Sequence, residues 1–237
     1  MRKWTGLVGI VFLCLAVLFL VVQFPGTQPA PWNAGPARQP IDVASVRASA
    51  DSGQARAQWQ LGDLYARGEG FTNSYAEAAK WYRRGADQGN ADAQAALGEL
   101  YQAGQGVSKN LSEAGKWYDL AARQDNARAQ YSLGFMCETG RGLPQNQVQA
   151  AKWYLLAAEQ GNTLAQYDLG QRYDLGIGVP ADQVEAFKWL TLAAAQGQTD
   201  AAKRLEKVKS KMTRKEISEA QSRLASFSTN RMAPPPN

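Results

Sequence analysis

Trp81, Trp117, Trp153 and Trp189 stand at a constant interval of 36 residues, and Gly62, Gly98, Gly134 and Gly170 keep the same interval. A unit of that length is too short to bury its own apolar face, so it must stack on copies of itself. The period therefore commits the chain to a linear array.

Spacing inside the unit assigns its two halves. Each unit opens with Ala-Gln (Ala57-Gln58, Ala93-Gln94, Ala129-Gln130, Ala165-Gln166), reaches Leu-Gly three residues later, and carries small and apolar residues at helical spacing. This first helix, helix A, is expected to stop at a Gly-x-Gly element, at Gly68 and Gly70 and their copies, because glycine accepts the positive φ that ends a helix. Ser74, Asn110, Asn146 and Asp182 then precede Glu77, Glu113, Gln149 and Glu185 by three residues, a capping-box spacing that starts helix B. The Lys-Trp pair, followed by Tyr82, Tyr118, Tyr154 or Leu190, is read as the buried face of helix B. Gly89-Asn90, Gly161-Asn162 and Gly197-Gln198 close the unit, and Asp125-Asn126 does so with poorer left-handed chemistry.

Composition removes several classes of function. The chain of 237 residues contains no histidine, which excludes Ser-His and Cys-His catalysis and the commonest zinc ligand. Its cysteines are Cys14, inside an apolar run, and Cys137, leaving no soluble pair for a disulfide. The net charge of +5 is unevenly placed: residues 57–200 carry 12 basic against 16 acidic side chains, and the chain from Lys203 onward carries nine against three. A mildly acidic body offers no positive face to phosphates, so no nucleic-acid partner is expected. The Gly-x-Gly elements lack the Lys-Ser/Thr of a phosphate loop and read as helix breakers. No cofactor and no metal is expected.

Gly6 to Val22 is an unbroken apolar stretch led by Arg2 and Lys3. It is long enough to span a bilayer and lacks a following pair of small residues suited to signal cleavage, so residues 1–24 are read as a retained transmembrane anchor, with residues 6–22 in the membrane. Cationic flanks stay inside. That places the N-terminus in the cytoplasm, the protein as single-pass in the inner membrane, and the repeats in the periplasm. Residues 25–40, with five prolines, form an extended linker. The solenoid is assigned to 41–228: a degenerate leading helix from Ile41 to Ser52, repeats at 57–92, 93–128, 129–164 and 165–200, and a C-terminal cap at 201–228. The cap includes a Thr213–Glu216 capping box and a helix with Ile217, Ala220, Leu224 and Phe227 on one face. Residues 229–237 are read as a disordered tail.

The recurring Ala-Gln-x-x-Leu-Gly, Tyr-x-x-Gly-x-Gly, Ala-x-Lys-Trp-Tyr and Ala-Ala-x-Gln-Gly-Asn elements resemble the Sel-one-like repeat (SLR) family, a subclass of tetratricopeptide-like repeats. The resemblance implies an all-α, right-handed superhelical solenoid of helix-turn-helix repeats that acts as a binding scaffold: an envelope adaptor, or an immunity protein that neutralises a secreted toxic enzyme. Some cysteine-rich relatives act on β-lactams, but this chain lacks their paired cysteines. The competing class is a carboxylate-dependent envelope glycan hydrolase using Glu99 and Glu138, since two carboxylates suffice for glycoside cleavage.

By analogy with tetratricopeptide grooves, specificity would sit on helix A at the third, seventh, tenth and eleventh positions of each unit. Read off the sequence, the partner-binding candidates are Trp59, Asp63 and Arg67; Glu99 and Gln102; Tyr131, Phe135 and Glu138; and Tyr167, Gln171 and Asp174. Such a surface suits a protein partner with apolar anchors and basic flanks. On this reading Phe135→Ala and Glu138→Lys abolish capture without lowering the melting temperature. The competing reading is that Tyr131 and Tyr167 pack against the adjacent helix.

Overall fold

A computed structural model describes residues 42–232 of the protein, and side chains through Phe227. The anchor at 1–24, the linker at 25–40, Cys14 and the tail from 233 onward lie outside the described residues. Among the described residues, no helix is long and apolar enough to cross a membrane.

The described chain is eleven α-helices with no strand. A leading helix α1 (Val43–Asp51) is followed by four hairpins: α2 (Ala55–Arg67) with α3 (Tyr75–Asp87), α4 (Ala91–Ala103) with α5 (Leu111–Ala122), α6 (Ala127–Thr139) with α7 (Gln147–Glu159), and α8 (Thr163–Leu175) with α9 (Gln183–Ala195). Then come α10 (Thr199–Lys209) and α11 (Arg214–Met232). Each helix packs on the next along the chain from α1 to α10, while α11 packs against α9. This is the expected all-helical solenoid with a cap at each end. The last helix extends to Met232, beyond the bound of 228 drawn from sequence.

The small glycine of Leu-Gly is a socket for an aromatic ring. A Cβ on Gly62 would lie 2.6 Å from Tyr82, one on Gly98 2.8 Å from Tyr118, and one on Gly134 2.7 Å from Tyr154. In the fourth unit Leu190 fills the same place against Gly170, at 2.8 Å. These residues, not the tryptophans, form the deepest part of helix B. Tyr118, Tyr154 and Leu190 are at most 1% exposed, and Trp189 is equally buried, but Trp117 and Trp153 are only half-buried. The expectation that the tryptophan marks the buried face in every unit is thus corrected. Trp189 differs because Phe227 of α11 covers it edge-on, with ring centroids 5.3 Å apart.

The Ala-Gln motif builds a ladder of buried amides. Gln58, Gln94, Gln130 and Gln166 donate through Nε2 to the carbonyls of Ala50, Ala86, Ala122 and Ala158, at 3.1–3.3 Å. Each Oε1 accepts from Gln88, Gln124, Gln160 or Gln196, 30 residues onward, at 2.7–2.8 Å. The carbonyls sit at the C-terminal end of the preceding helix, α1 for Ala50 and a helix B for the other three, where intrahelical donors run out. The ladder therefore stitches each unit to its neighbour.

The capping boxes form by half. Ser74, Asn110, Asn146 and Asp182 accept from the amides three residues on, at 2.9–3.2 Å. The reciprocal arm is absent in all four repeats, because the cap residue's own N–H already donates to helix A, at the carbonyls of Tyr65, Tyr101, Cys137 and Tyr173. Glu77, Glu113 and Glu185 instead pair with the lysine three residues on, each at 2.6 Å. Only Thr213–Glu216, with no helix A hairpin before it, closes both arms: Thr213 N–H donates to Glu216 at 2.7 Å and Glu216 N–H to Thr213 Oγ1 at 3.3 Å.

Two turn positions show what the loops demand. Gly106 has φ +68°, and a Cβ there would collide with the Tyr75 carbonyl oxygen at the start of the preceding helix B. Asp125 takes φ +59°, the left-handed conformation that Gly53, Gly89, Gly161 and Gly197 hold in the other turns.

Candidate interaction surface

The eleven residues assigned from sequence to the helix A surface fall into three neighbourhoods. The first is a cavity of about 230 Å³ that brings together Trp59, Asp63 and Arg67 of α2 with Glu99 of α4. Its wall is completed by Tyr82, Leu100 and Arg128. Asp63 pairs with Arg67 at 3.0 Å and Glu99 with Arg128 at 3.1 Å. All four side chains remain 31–50% exposed, so these bridges hold weakly and can exchange for a ligand. Burial raises the Glu99 carboxyl pKa, the nearby Asp63 charge adds to the rise, and Arg128 opposes it.

The second neighbourhood is a cavity of about 320 Å³ lined by Gln102 and Phe135, with Lys109, Leu111, Met136 and Arg141. Gln102 is already engaged, since its Oε1 accepts from the Tyr118 hydroxyl at 2.8 Å.

The third is a polar network that consumes most of the remaining candidates. Tyr131 donates to Asp168 at 3.2 Å and packs against the Tyr154 ring at 5.5 Å. Tyr154 donates to Glu138 at 2.6 Å, and Glu138 bridges to Arg172 at 2.8 Å. The Arg172 side chain is 4% exposed and also donates to Gln147 at 2.9 Å. Burial, followed by the Glu138 charge, pushes the Asp168 carboxyl up to about 6. Asp174, its side chain 4% exposed, binds Arg204 at 2.9 Å and Lys211 at 2.7 Å. Burial pushes its carboxyl upward, but those two cations outweigh it and hold the carboxyl below its ordinary range. Gln171 accepts from Arg204 at 3.2 Å, and Tyr167 packs against the apolar cluster around Phe187 and Leu190.

This arrangement corrects the sequence reading of the acidic positions. Glu138 neutralises a buried guanidinium, so Glu138→Lys would set a like charge beside Arg172 and leave it only the Gln147 and Ile177 oxygens as acceptors, at a cost of roughly 1–3 kcal/mol. It cannot leave the melting curve unchanged. Glu99 and Glu138 also sit in separate settings, one on the first cavity with Arg128 and one in the network with Arg172 and Tyr154, and they do not form a shared carboxylate pair. Among the described residues, no cluster of His, Cys, Asp and Glu could hold a metal ion.

Sequence reasoning missed Arg128, Tyr82 and Ala66 at the first cavity. Ala66 occupies the tenth position of its unit, counted from Ala57, where the other units have Gln102, Glu138 and Asp174, and that departure is visible in the 36-residue spacing.

A family model described as Sel1 repeat matches residues 55–90, 91–126, 127–162 and 163–198. No curated protein matches the chain. Among solved structures, a Sel1 repeat protein from Oxalobacter formigenes is 37% identical, with 70% of this chain and 48% of that one covered and a TM-score of 0.65. A protective antigen present in uropathogenic Escherichia coli strains, displaying an SLR fold, is 28% identical, with 78% and 48% covered and a TM-score of 0.54. The chain thus spans about half the length of each. An immunity protein from Pseudomonas aeruginosa is 19% identical, with 65% of this chain and 72% of that one covered; its TM-score of 0.39 is too low to inform a functional reading.

Proposed function

The chain belongs to the Sel1 repeat family, and on that premise we propose that it is a non-catalytic adaptor or inhibitor of the bacterial envelope that captures another protein on its helix A surface. Sel1 repeats mediate protein–protein interactions, and the family is generally a non-catalytic scaffold. The observation that carries the reading is the cavity shared by α2 and α4. There Trp59 is partly exposed and both members of the Asp63–Arg67 and Glu99–Arg128 bridges are solvent-accessible, whereas Glu138 is paired with a buried Arg172 and Asp174 is itself buried between two cations. An aromatic anchor beside exchangeable charges is the usual composition of a binding hot spot.

The anchor at residues 6–22 would hold this module at the inner membrane with the repeats in the periplasm; the apolar run and its Arg2-Lys3 flank support that placement. The test is capture from envelope extracts by the full-length protein. Trp59→Ala and Glu99→Lys should each remove a discrete partner; Glu99→Lys should shift the melting temperature little, while Trp59→Ala, which also gives up contact with the core around Tyr82 and Leu100, should melt lower yet stay folded. Retention of the partner by both variants would refute the assignment of the surface, and turnover of an envelope glycan would refute the non-catalytic reading.

A further inference from the structure

The repeat contains its own template for what the first cavity lacks. In the second unit the Tyr118 hydroxyl donates to the Gln102 carboxamide at 2.8 Å, and in the third the Tyr154 hydroxyl donates to Glu138 at 2.6 Å. Gln102 and Glu138 both occupy the tenth position of their units, counted from Ala93 and Ala129. In the first unit that position is Ala66, and Tyr82 stands where Tyr118 and Tyr154 stand. The Tyr82 hydroxyl has no side-chain or backbone acceptor among the described residues, and Tyr82 and Ala66 both line the 230 Å³ cavity. Removal of one side chain from the repeat pattern has opened a socket with a hydroxyl at its wall.

We propose that this socket receives the carboxamide of a glutamine side chain presented by a partner polypeptide, with its oxygen accepting from Tyr82 as Gln102 accepts from Tyr118. The inference rests on the helix A surface being the binding face. Burial and the Asp63 and Glu99 charges raise the Tyr82 pKa, so its hydroxyl stays protonated and presents a donor to a group entering the cavity. An incoming lysine or arginine has donors only and would leave that hydroxyl unmatched. An incoming carboxylate could accept, but it carries no donor for the Asp63 and Glu99 oxygens, whose charges Arg67 and Arg128 already balance. A carboxamide accepts from Tyr82 and can donate its two N–H groups to Asp63 and Glu99, each of which spends only part of its acceptor capacity on Arg67 or Arg128. Trp59, Ala96 and Leu100 provide apolar contact for the methylene stem.

The test selects heptapeptides from a random phage-displayed library on the full-length protein in mild detergent. Each binder is resynthesised with its glutamines replaced in turn by glutamate and by leucine. Selected peptides should contain one glutamine whose replacement by either residue weakens binding at least tenfold. Ala66→Gln, which supplies the protein's own carboxamide to Tyr82, should weaken the same peptides at least tenfold while melting no lower than the wild type. Tyr82→Phe should weaken them several-fold, which keeps the test decisive should Ala66→Gln fold poorly. Binders that lack a critical glutamine, or that keep full affinity for Ala66→Gln and Tyr82→Phe, overturn the socket. If those binders are nevertheless lost on Trp59→Ala and Glu99→Lys, the helix A surface survives and only the carboxamide assignment falls. A library that yields no binder sensitive to any of the four substitutions overturns both.

Discussion

Replacing Gln130 by leucine isolates the energetic contribution of the amide ladder. Gln130 is 0% exposed, donates to the Ala122 carbonyl at 3.2 Å and accepts from Gln160 at 2.7 Å. Leucine keeps nearly the same volume but forfeits both bonds, each contributing about 0.5–1.5 kcal/mol net. Neither partner is stranded: the Ala122 carbonyl keeps the Asp125 N–H at 3.1 Å, and Gln160 lies at the surface where water replaces the lost contact. Burying an apolar group in place of an amide offsets about 1 kcal/mol. Taking each bond at about 1 kcal/mol, a net loss near 1 kcal/mol follows, or roughly 2–4 °C in melting temperature for an array of this size. Gln130→Ala adds an unfilled volume and should cost more, about 2–4 kcal/mol. Gln160→Leu removes one bond from an exposed residue and should cost under about 1 kcal/mol, and the double variant should show a coupling of about 0.5–1.5 kcal/mol. Thermal and urea unfolding followed by circular dichroism at about 222 nm, where helices absorb, measures all four variants. A Gln130→Leu protein as stable as the wild type, or more so, would refute the ladder as the element that joins the repeats.

Two further substitutions probe packing and charge. Gly98→Ala should destabilise by about 1–2 kcal/mol in the same unfolding assay, because a Cβ 2.8 Å from the immobile Tyr118 ring outweighs the helix propensity that alanine recovers. Asp168 takes up its proton near pH 6 in the folded protein and near pH 4 when unfolded, so the native state binds more protons in between and gains stability as pH falls through that window. Asp168→Asn, still able to accept from Tyr131, should therefore stabilise by roughly 1–2 kcal/mol at about pH 7 and distinctly less at about pH 4.5; an equal effect at both values would contradict the burial argument.

The periodic residues were legible in the sequence because every copy repeats the same physical demand. The Leu-Gly glycines, the Ala-Gln glutamines and the cap residues recur every 36 residues, and each proves to serve the same packing, bonding or capping role in every unit. What escaped depends on residues that break the period. Glu138–Arg172 and Asp174–Arg204 join neighbouring units at separations of 34 and 30 residues and have no equivalent copies elsewhere, so repeat spacing could not reveal them. The missing arm of each capping box escaped for another reason: the competing acceptor is a carbonyl of helix A, and backbone carbonyls leave no mark in a sequence. The site was legible only as a surface. Which of its charges are free depends on arginines contributed by the next unit, and that emerges only when the units are stacked.

The most direct test of the central claim is site-specific photo-crosslinking in living cells, with a benzophenone amino acid placed at Trp59 in the first cavity or at Lys152, exposed on helix α7. The account predicts a discrete adduct with another protein from position 59 and none from position 152. Adducts from position 152 with none from position 59 would place recognition on the helix B side and contradict it.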